Sequence, residues 1–484
     1  MADNNLRRTA GRGAMWQVIS GGWQALVRLG ASTMLARTLL PSDFGLFGMA
    51  LLVIELVDYL GGLGMTGGVI AKKEVGEKEL NTCFWTMAGV RFILFCIAYV
   101  CAPLAALFMK EPRVELVVRV ISTTFLISIF GIIGNTILSK KLQFGKISFI
   151  NAAAILFESS LAVFLAKTTS LGYWALVCPM LASSFLTNLS VFFVAKWYPR
   201  FIFDKESFKF QFKFGIHGLG FNIANYLHQN IDYFIVGRFM GTTALGLYEY
   251  AYRIPHIILD RFARPVGAVV FPAFATVQDD ETLIRGYVQT VKYVTILAFP
   301  ILGGLAVMAK PLVLTLWSEK WQSIIIPMQI LCLSVAIRCI VQPLGAVILC
   351  KHRPEIMFKQ AVISCTATAV FVCLGAWLWG VVGVATGMLL STLSYIYVII
   401  IAFKLTKTSP KLLLKTLMPA TIVTIISSSA ALICYNLLVI NYNFMLIIPF
   451  AIVAGIISYI YSYYIMFKSD FNDILLTARS IIKL

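Results

Sequence analysis

Residues 416–467 read TLMPATIVTIISSSAALICYNLLVINYNFMLIIPFAIVAGIISYIYSYYIMF, and no charged side chain interrupts them. A run of that length without Asp, Glu, Lys or Arg has no place on a protein surface in water. A bilayer core about 30 Å thick is spanned by roughly 20 helical residues, so the segment predicts two membrane helices around the central Asn441-Tyr442-Asn443. A β-barrel is excluded, because barrel strands alternate in polarity over about ten residues and this run does not alternate.

The rest of the chain reads in the same way. Charged residues make up 13% of the 484 and hydrophobic ones 59%, against roughly 25% charged in soluble domains. Backbone groups in lipid must be satisfied internally, so the expectation is an all-α polytopic membrane protein. Apolar stretches between charged or Pro/Gly breaks predict fourteen spans, at 14–38, 44–70, 80–109, 114–139, 147–169, 171–195, 216–240, 245–275, 286–309, 324–349, 356–378, 380–403, 416–438 and 444–466.

Charge orients them. The chain has 40 Lys+Arg against 22 Asp+Glu, a net +18. In a soluble protein such a balance points to nucleic acid; in a membrane protein the side on which it falls matters first. With the N-terminus cytoplasmic, and with Lys167 and Lys359 counted in the loops they adjoin, 25 basic residues fall on the cytoplasmic side and 5 outside. This bias predicts N-in, C-in, and no nucleic-acid partner. Arg7 and Arg8 precede the first span without a small-residue cleavage site after it, so no cleavable leader is expected. The ten cysteines are scattered, with no CxxC, and read as reduced buried side chains. Trp317 and Trp321 read as interfacial anchors.

The sequence repeats itself. A shift of 201 residues aligns Arg37 with Arg238, Gly45-Leu46-Phe47 with Gly246-Leu247-Tyr248, and Ala50 with Ala251. Six spans per half make the repeat parallel, related by an axis along the membrane normal, as in many secondary transporters. The expected organisation is a six-helix bundle over 1–196, a basic cytoplasmic linker over 197–215, a second six-helix bundle over 216–403, and two further spans with a cytoplasmic tail over 404–484.

Polar residues inside the spans mark the candidate site, because they are costly in lipid and face an interior or a water-filled cavity. Asn222, Asn225, Gln229 and Asp232 are spaced 3, 4, 3, which places them on one helical face. Gly21, Gln24 and Arg28 occupy the positions that match Asn222, Asn225 and Gln229. Glu249, Arg253, His256, Asp260 and Arg264 form a stripe in the eighth span, and Glu55 falls where His256 does, with Asp58 three residues on. The candidate substrate-binding set is Gln24, Arg28, Asp58, Asn222, Asn225, Gln229, Asp232, Arg253, His256, Asp260 and Arg264. Each is also open to the plainer reading of a charge pair between helices, and Glu158 and Lys292, standing alone, favour it. Taken together, the spans hold ten basic residues against six acids (Glu55, Asp58, Glu158, Asp232, Glu249 and Asp260), with Glu115 assigned to its loop. A surplus of four suggests a central aqueous cavity that accepts an anion.

Gly62, Gly64 and Gly67 spell GxGxxG but follow no strand, so they signal close helix packing and not a dinucleotide site. No P-loop, GxSxG or HExxH occurs; no cofactor, metal or catalytic residue is expected, and the protein is not expected to be an enzyme.

LPSDFGLFG at 40–48, FPAFATVQDD at 271–280 and SEKWQSIIIPMQILC at 318–332 resemble Wzx-type polysaccharide flippases, as does the stretch around Asn225, Asn230, Asp232, Gly237, Arg238, Gly241, Tyr248, Ala251 and Tyr252. The resemblance is to the colanic-acid-exporter branch, within the superfamily that includes MATE exporters. It implies a MATE-like fold of two six-helix bundles plus two C-terminal helices, and alternating access in the bacterial inner membrane. The implied cargo is an undecaprenyl-pyrophosphate-linked oligosaccharide repeat unit for capsule, exopolysaccharide or O-antigen, with polymerase and chain-length proteins of the same pathway as partners. Related lipid-carrier flippases use the two extra helices as a groove for the polyprenyl tail. A MATE-like small-molecule exporter is the alternative, though a cation carrier would favour a net acidic cavity. A membrane-embedded polymerase or ligase is less favoured, because the longest outer connection, 310–323, is too short for a catalytic loop.

Overall fold

The computed structural model describes residues 2–61, 66, 69, 75–263, 274, 279–438, 444–468 and 470, with the side chains of 2–15, 17–19, 210, 213–225 and 444–446 left aside. Among the described residues every regular element is helical. Among the described residues ten helices are long and apolar enough to cross a membrane. The chain divides into two compact units, Met1–Gly246 and Leu247–Leu484.

The first unit contains α1 (Ala2–Thr38), α2 (Pro41–Gly61), α3 (Glu77–Met109), α4 (Arg113–Lys140), α5 (Phe144–Thr168), α6 (Trp174–Ala195) and the first part of α7 (Lys205–Ile258). Local chemistry sets the ends. Glu79 reaches back to the Gly76 amide at 3.0 Å where α3 starts, leaving one fewer unsatisfied donor at the terminus. At its other end the chain turns through Lys110 in the left-handed region, φ 54°. α1 and α5 meet where the buried Ser20 hydroxyl donates to the Ser148 carbonyl at 3.2 Å. α7 changes direction at Gly241, φ 82° and ψ −174°, a conformation that only glycine adopts cheaply. The sequence break between 240 and 245 falls there.

Of the basic linker, residues from Lys205 onward are already helical, because a helix continues into water beyond its apolar stretch. The preceding segment is docked on the start of α3. The Arg200 amide donates to Asn81 Oδ1 at 2.5 Å, the Trp85 indole donates to the Arg200 carbonyl at 2.8 Å, and the Asp204 amide donates to Thr82 Oγ1 at 2.9 Å. The Phe201 ring stacks on Trp85 at 4.6 Å.

The second unit holds the rest of α7, α8 (Asp280–Val307), α9 (Ala309–Leu316), α10 (Ile325–Val341), α11 (Leu344–Cys350), α12 (Pro354–Ser391), α13 (Tyr395–Leu405), α14 (Lys411–Leu438) and α15 (Phe444–Met466). After Pro255, α7 passes into a π-helical turn at Leu259–Ala263; proline removes the amide that would bond one turn back. α12 folds back at Trp379–Gly380, bringing Gly375 and Gly383 backbone to backbone. That hairpin separates the spans expected at 356–378 and 380–403. The span expected at 324–349 is broken between Val341 and Leu344 into α10 and α11, where Pro343 lacks a donor. The core of this unit gathers Tyr287, Val291, Leu344, Val347 and Phe403. α15 is tied to α8 by the Tyr459 hydroxyl on the Ile296 carbonyl at 2.9 Å.

Trp317 and Trp321 depart from the expectation. They are 2% and 0% exposed and pack on Tyr250 with centroids 5.2 and 4.2 Å away. They are core residues of the second unit, because a tyrosine ring faces them where the sequence alone suggested a lipid headgroup layer.

Candidate functional site

In the first unit the α1 stripe begins with a relay. Gln24 Nε2 donates to Ser20 Oγ at 2.8 Å, and Ser20 in turn donates to α5. Arg28, a turn further on, is exposed and lies within electrostatic reach of Glu158 on α5, while Ser183 of α6 donates to the Ala154 carbonyl of α5 at 3.2 Å. Glu158 therefore does not stand alone. Arg28 has a carboxylate neighbour and an open face.

Asp58 on α2 forms an ion pair with Arg91 of α3, and the Arg91 guanidinium sits 5.8 Å from the Phe125 centroid. The Asp58 side chain remains 49% exposed, so the pair is open on one side. Glu55, three residues earlier, contacts Tyr226 of α7. The Tyr226 hydroxyl donates to the Leu52 carbonyl at 2.7 Å, and its ring lies 4.8 Å from Tyr59. Sequence reasoning missed this tyrosine pair because it counted only amides and charges as polar. Of the α7 residues, Gln229 is exposed and Asp232 is buried. The side chains of Asn222 and Asn225 lie outside the described residues.

In the second unit the stripe is a ladder one helical turn per rung. Tyr248 stacks on Tyr252 at 5.9 Å, the Tyr252 ring lies 4.8 Å from His256, and His256 Nδ1 is 3.2 Å from Asp260 Oδ2. Arg338 of α10 donates to the Tyr252 hydroxyl at 2.6 Å. Arg338 was not singled out by spacing; it belongs to no stripe of its own and acts through a partner on another helix. Arg253 is exposed, 5.9 Å from the Tyr250 centroid and electrostatically coupled to Glu249. Arg264 lies outside the described residues, as do the glycines at 62, 64 and 67.

Pairing reduces the positive surplus read from the sequence. Lys292 meets Asp470 at 3.0 Å and Arg119 meets Glu115 at 2.9 Å, so two acids assigned to loops reach into the inventory. Among the described residues no cluster of His, Cys, Asp and Glu is arranged to hold a metal ion.

The second unit also has an apolar groove. It encloses about 340 Å³ among Phe299, Leu302 and Gly303 of α8, Leu333 of α10, and Leu417 and Thr421 of α14. A carbon chain finds little there but carbon to touch.

Comparison with known proteins follows the same lines. Residues 34–326 match the family model described as "Polysaccharide biosynthesis protein". The chain is 29% identical over 388 residues to the lipopolysaccharide biosynthesis protein WzxC of Escherichia coli K12, covering 80% of this chain and 79% of the relative. Among solved structures, the lipid II flippase MurJ in an inward closed conformation superposes with a TM-score of 0.75 at 14% identity, covering 93% of this chain and 98% of that one. An inward-facing multidrug resistance MATE transporter gives 0.62 at 16% identity, with 80% and 96% covered. At such identities the structural likeness speaks for the fold.

Proposed function

Because this chain belongs to the polysaccharide biosynthesis protein family and is a multi-pass all-α membrane protein with a MATE-like fold, we infer that it flips a lipid-linked oligosaccharide. The family makes it a polysaccharide-pathway exporter and a transport protein. The finer reading is an undecaprenyl-pyrophosphate-linked repeat unit carried from the cytoplasmic to the periplasmic leaflet of the bacterial inner membrane, for capsule, exopolysaccharide or O-antigen. Polymerase and chain-length proteins of the pathway would receive it. Fourteen helices, N-in and C-in, with six-helix bundles over 1–196 and 216–403, are the arrangement proposed.

The observation that carries this reading is the coexistence of two unlike surfaces. Amides and arginines on α1 and α7 offer hydrogen bonds and positive charge, while the groove along α14 offers a mostly apolar lining. A small polar solute needs the first and not the second. A pyrophosphate on a prenyl chain needs both: guanidinium forks match phosphate oxygens, and the chain needs a carbon-lined track. Arg28 and Arg253, both exposed, are the proposed headgroup contacts, with Arg264 as a third. Gln24, Asn222, Asn225 and Gln229 are assigned to the sugar. Asp58, Asp232, His256 and Asp260 are proposed to line the same path. Moving two negative charges out of a cell that is negative inside gains about 5 kcal/mol at 100 mV, enough to bias export without ATP.

The test is translocation of a lipid-linked oligosaccharide by the purified protein in liposomes, with and without a potential. Arg28→Ala is expected to abolish it. Arg28→Ala combined with Glu158→Ala removes the neighbouring carboxylate as well. If that double variant recovers transport, Arg28 serves Glu158 and not the headgroup, and the assignment falls.

A further inference from the structure

On the first unit, α1, the first turn of α5 and the last turn of α6 enclose a second groove of about 800 Å³. Its floor is aromatic: Trp16 is 50% exposed, Phe149 74% and Phe193 58%. The indole of Trp16 lies over Gly145, where a Cβ would touch its ring atoms at 3.6–3.8 Å. Lys146 and Lys196 stand at the rim, both exposed, and neither is engaged by a carboxylate among the described residues. Lys140 and Lys141 close α4 at the same end of the unit, so the field there is positive.

We propose that this groove is a binding site for a single anionic phospholipid of the leaflet on that side, its phosphate held between Lys146 and Lys196 and its acyl chains on Trp16, Phe149 and Phe193. The chemistry is one of complementarity. Aromatic rings half-exposed at the depth where basic residues begin sit at the headgroup boundary, and basic pockets between helix ends bind phosphate headgroups. The groove is too open and too apolar for a free anion, and two ammonium groups with no carboxylate partner among the described residues favour an anionic lipid over a zwitterionic one. That the leaflet is the cytoplasmic one rests on the orientation proposed above; the site itself does not, and neither does its test.

The full-length protein, held in phosphatidylcholine nanodiscs, is titrated with phosphatidylglycerol and its lipid adducts are counted by native mass spectrometry. One phosphatidylglycerol is expected to be retained selectively. Lys146→Gln with Lys196→Gln should weaken it about thirtyfold, at about 1 kcal/mol per lysine, and arginine at both positions should preserve it. Lys404→Gln with Lys411→Gln, two exposed lysines of the other unit, should leave it unchanged. Retention by the first pair of variants, or an equal loss with the second, would overturn the site. A further arm adds undecaprenyl phosphate at equal concentration. If it displaces phosphatidylglycerol through Lys146 and Lys196, the occupant is the carrier lipid and the phospholipid assignment is wrong. Transport is not read in any arm, so failure of the flippase reading and failure of this one are distinguishable.

Discussion

Gly45 and Gly246 pack backbone against backbone. A Cβ on Gly45 would run into the Thr242 carbonyl and lie 2.9 Å from the Gly246 nitrogen; one on Gly246 would run into the Pro41 carbonyl and lie 3.0 Å from the Gly45 nitrogen. The 201-residue shift pairs Gly45 with Gly246 and Pro41 with Thr242, so the contact is nearly self-complementary, as two-fold contacts are. Alanine at either position is expected to cost about 1–3 kcal/mol by overpacking. Because either substitution opens the same gap, the double variant should cost less than the sum. Thermal unfolding of the four purified proteins measures this, and strict additivity would contradict a shared contact.

Asp58→Asn leaves Arg91 without its carboxylate. Asp58 is half-exposed, so the loss is expected to be about 1 kcal/mol, near the surface value and well short of the 3–5 kcal/mol of a buried pair. Exchanging the two charges, Asp58→Arg with Arg91→Asp, should restore stability. Export by that swapped protein then decides whether Asp58 does more than hold α3, since a purely structural role predicts recovery of both.

The docked linker makes a prediction about proteolysis. Both the amide and the carbonyl of Arg200 are hydrogen-bonded to α3, which holds that peptide away from a protease cleft. Trp85→Phe or Asn81→Ala removes one bond each, worth about 1 kcal/mol. Trypsin cleavage after Arg200 should rise roughly fivefold in either variant. An unchanged rate would mean that the linker is not held by these bonds.

Glu111, in the turn between α3 and α4, contributes an acid dependence. Arg113 hydrogen-bonds the carboxylate at 2.8 and 3.0 Å, and that bond holds the group below its ordinary value of 4.5. A folded value lower than the unfolded one contributes stability that is fully present above pH 4.5 and is lost as pH falls through the folded value. Glu111→Gln should therefore lower stability at pH 7 by less than about 1 kcal/mol, seen as a slightly lower melting temperature, and not at all at low pH. An equal difference at both pH values would rule out this origin.

Much of this was legible in residue order. Periodicity is local, so the breaks at Gly241 and Gly380 and the one-face spacing of His256 and Asp260 follow from helical geometry and from glycine's freedom, whereas Tyr252 joined that stripe only in the structure. Composition is global, so the bilayer follows from 13% charge. The break at Pro343 escaped because no charged residue lies between Arg338 and Lys351 to mark it.

What the sequence by itself determined is that the chain is built of membrane helices and which residues are polar inside them. What only the tertiary structure decided is which of those polar residues face one another. Asp58 and Arg91 are 33 residues apart, and Tyr252 and Arg338 are 86 apart; Trp321 and Tyr250 meet from different elements altogether. In a bilayer, apolar faces toward lipid and toward another helix are chemically alike. Hydropathy therefore reports depth and says nothing about neighbours, and only packing settles whether a buried charge has a partner.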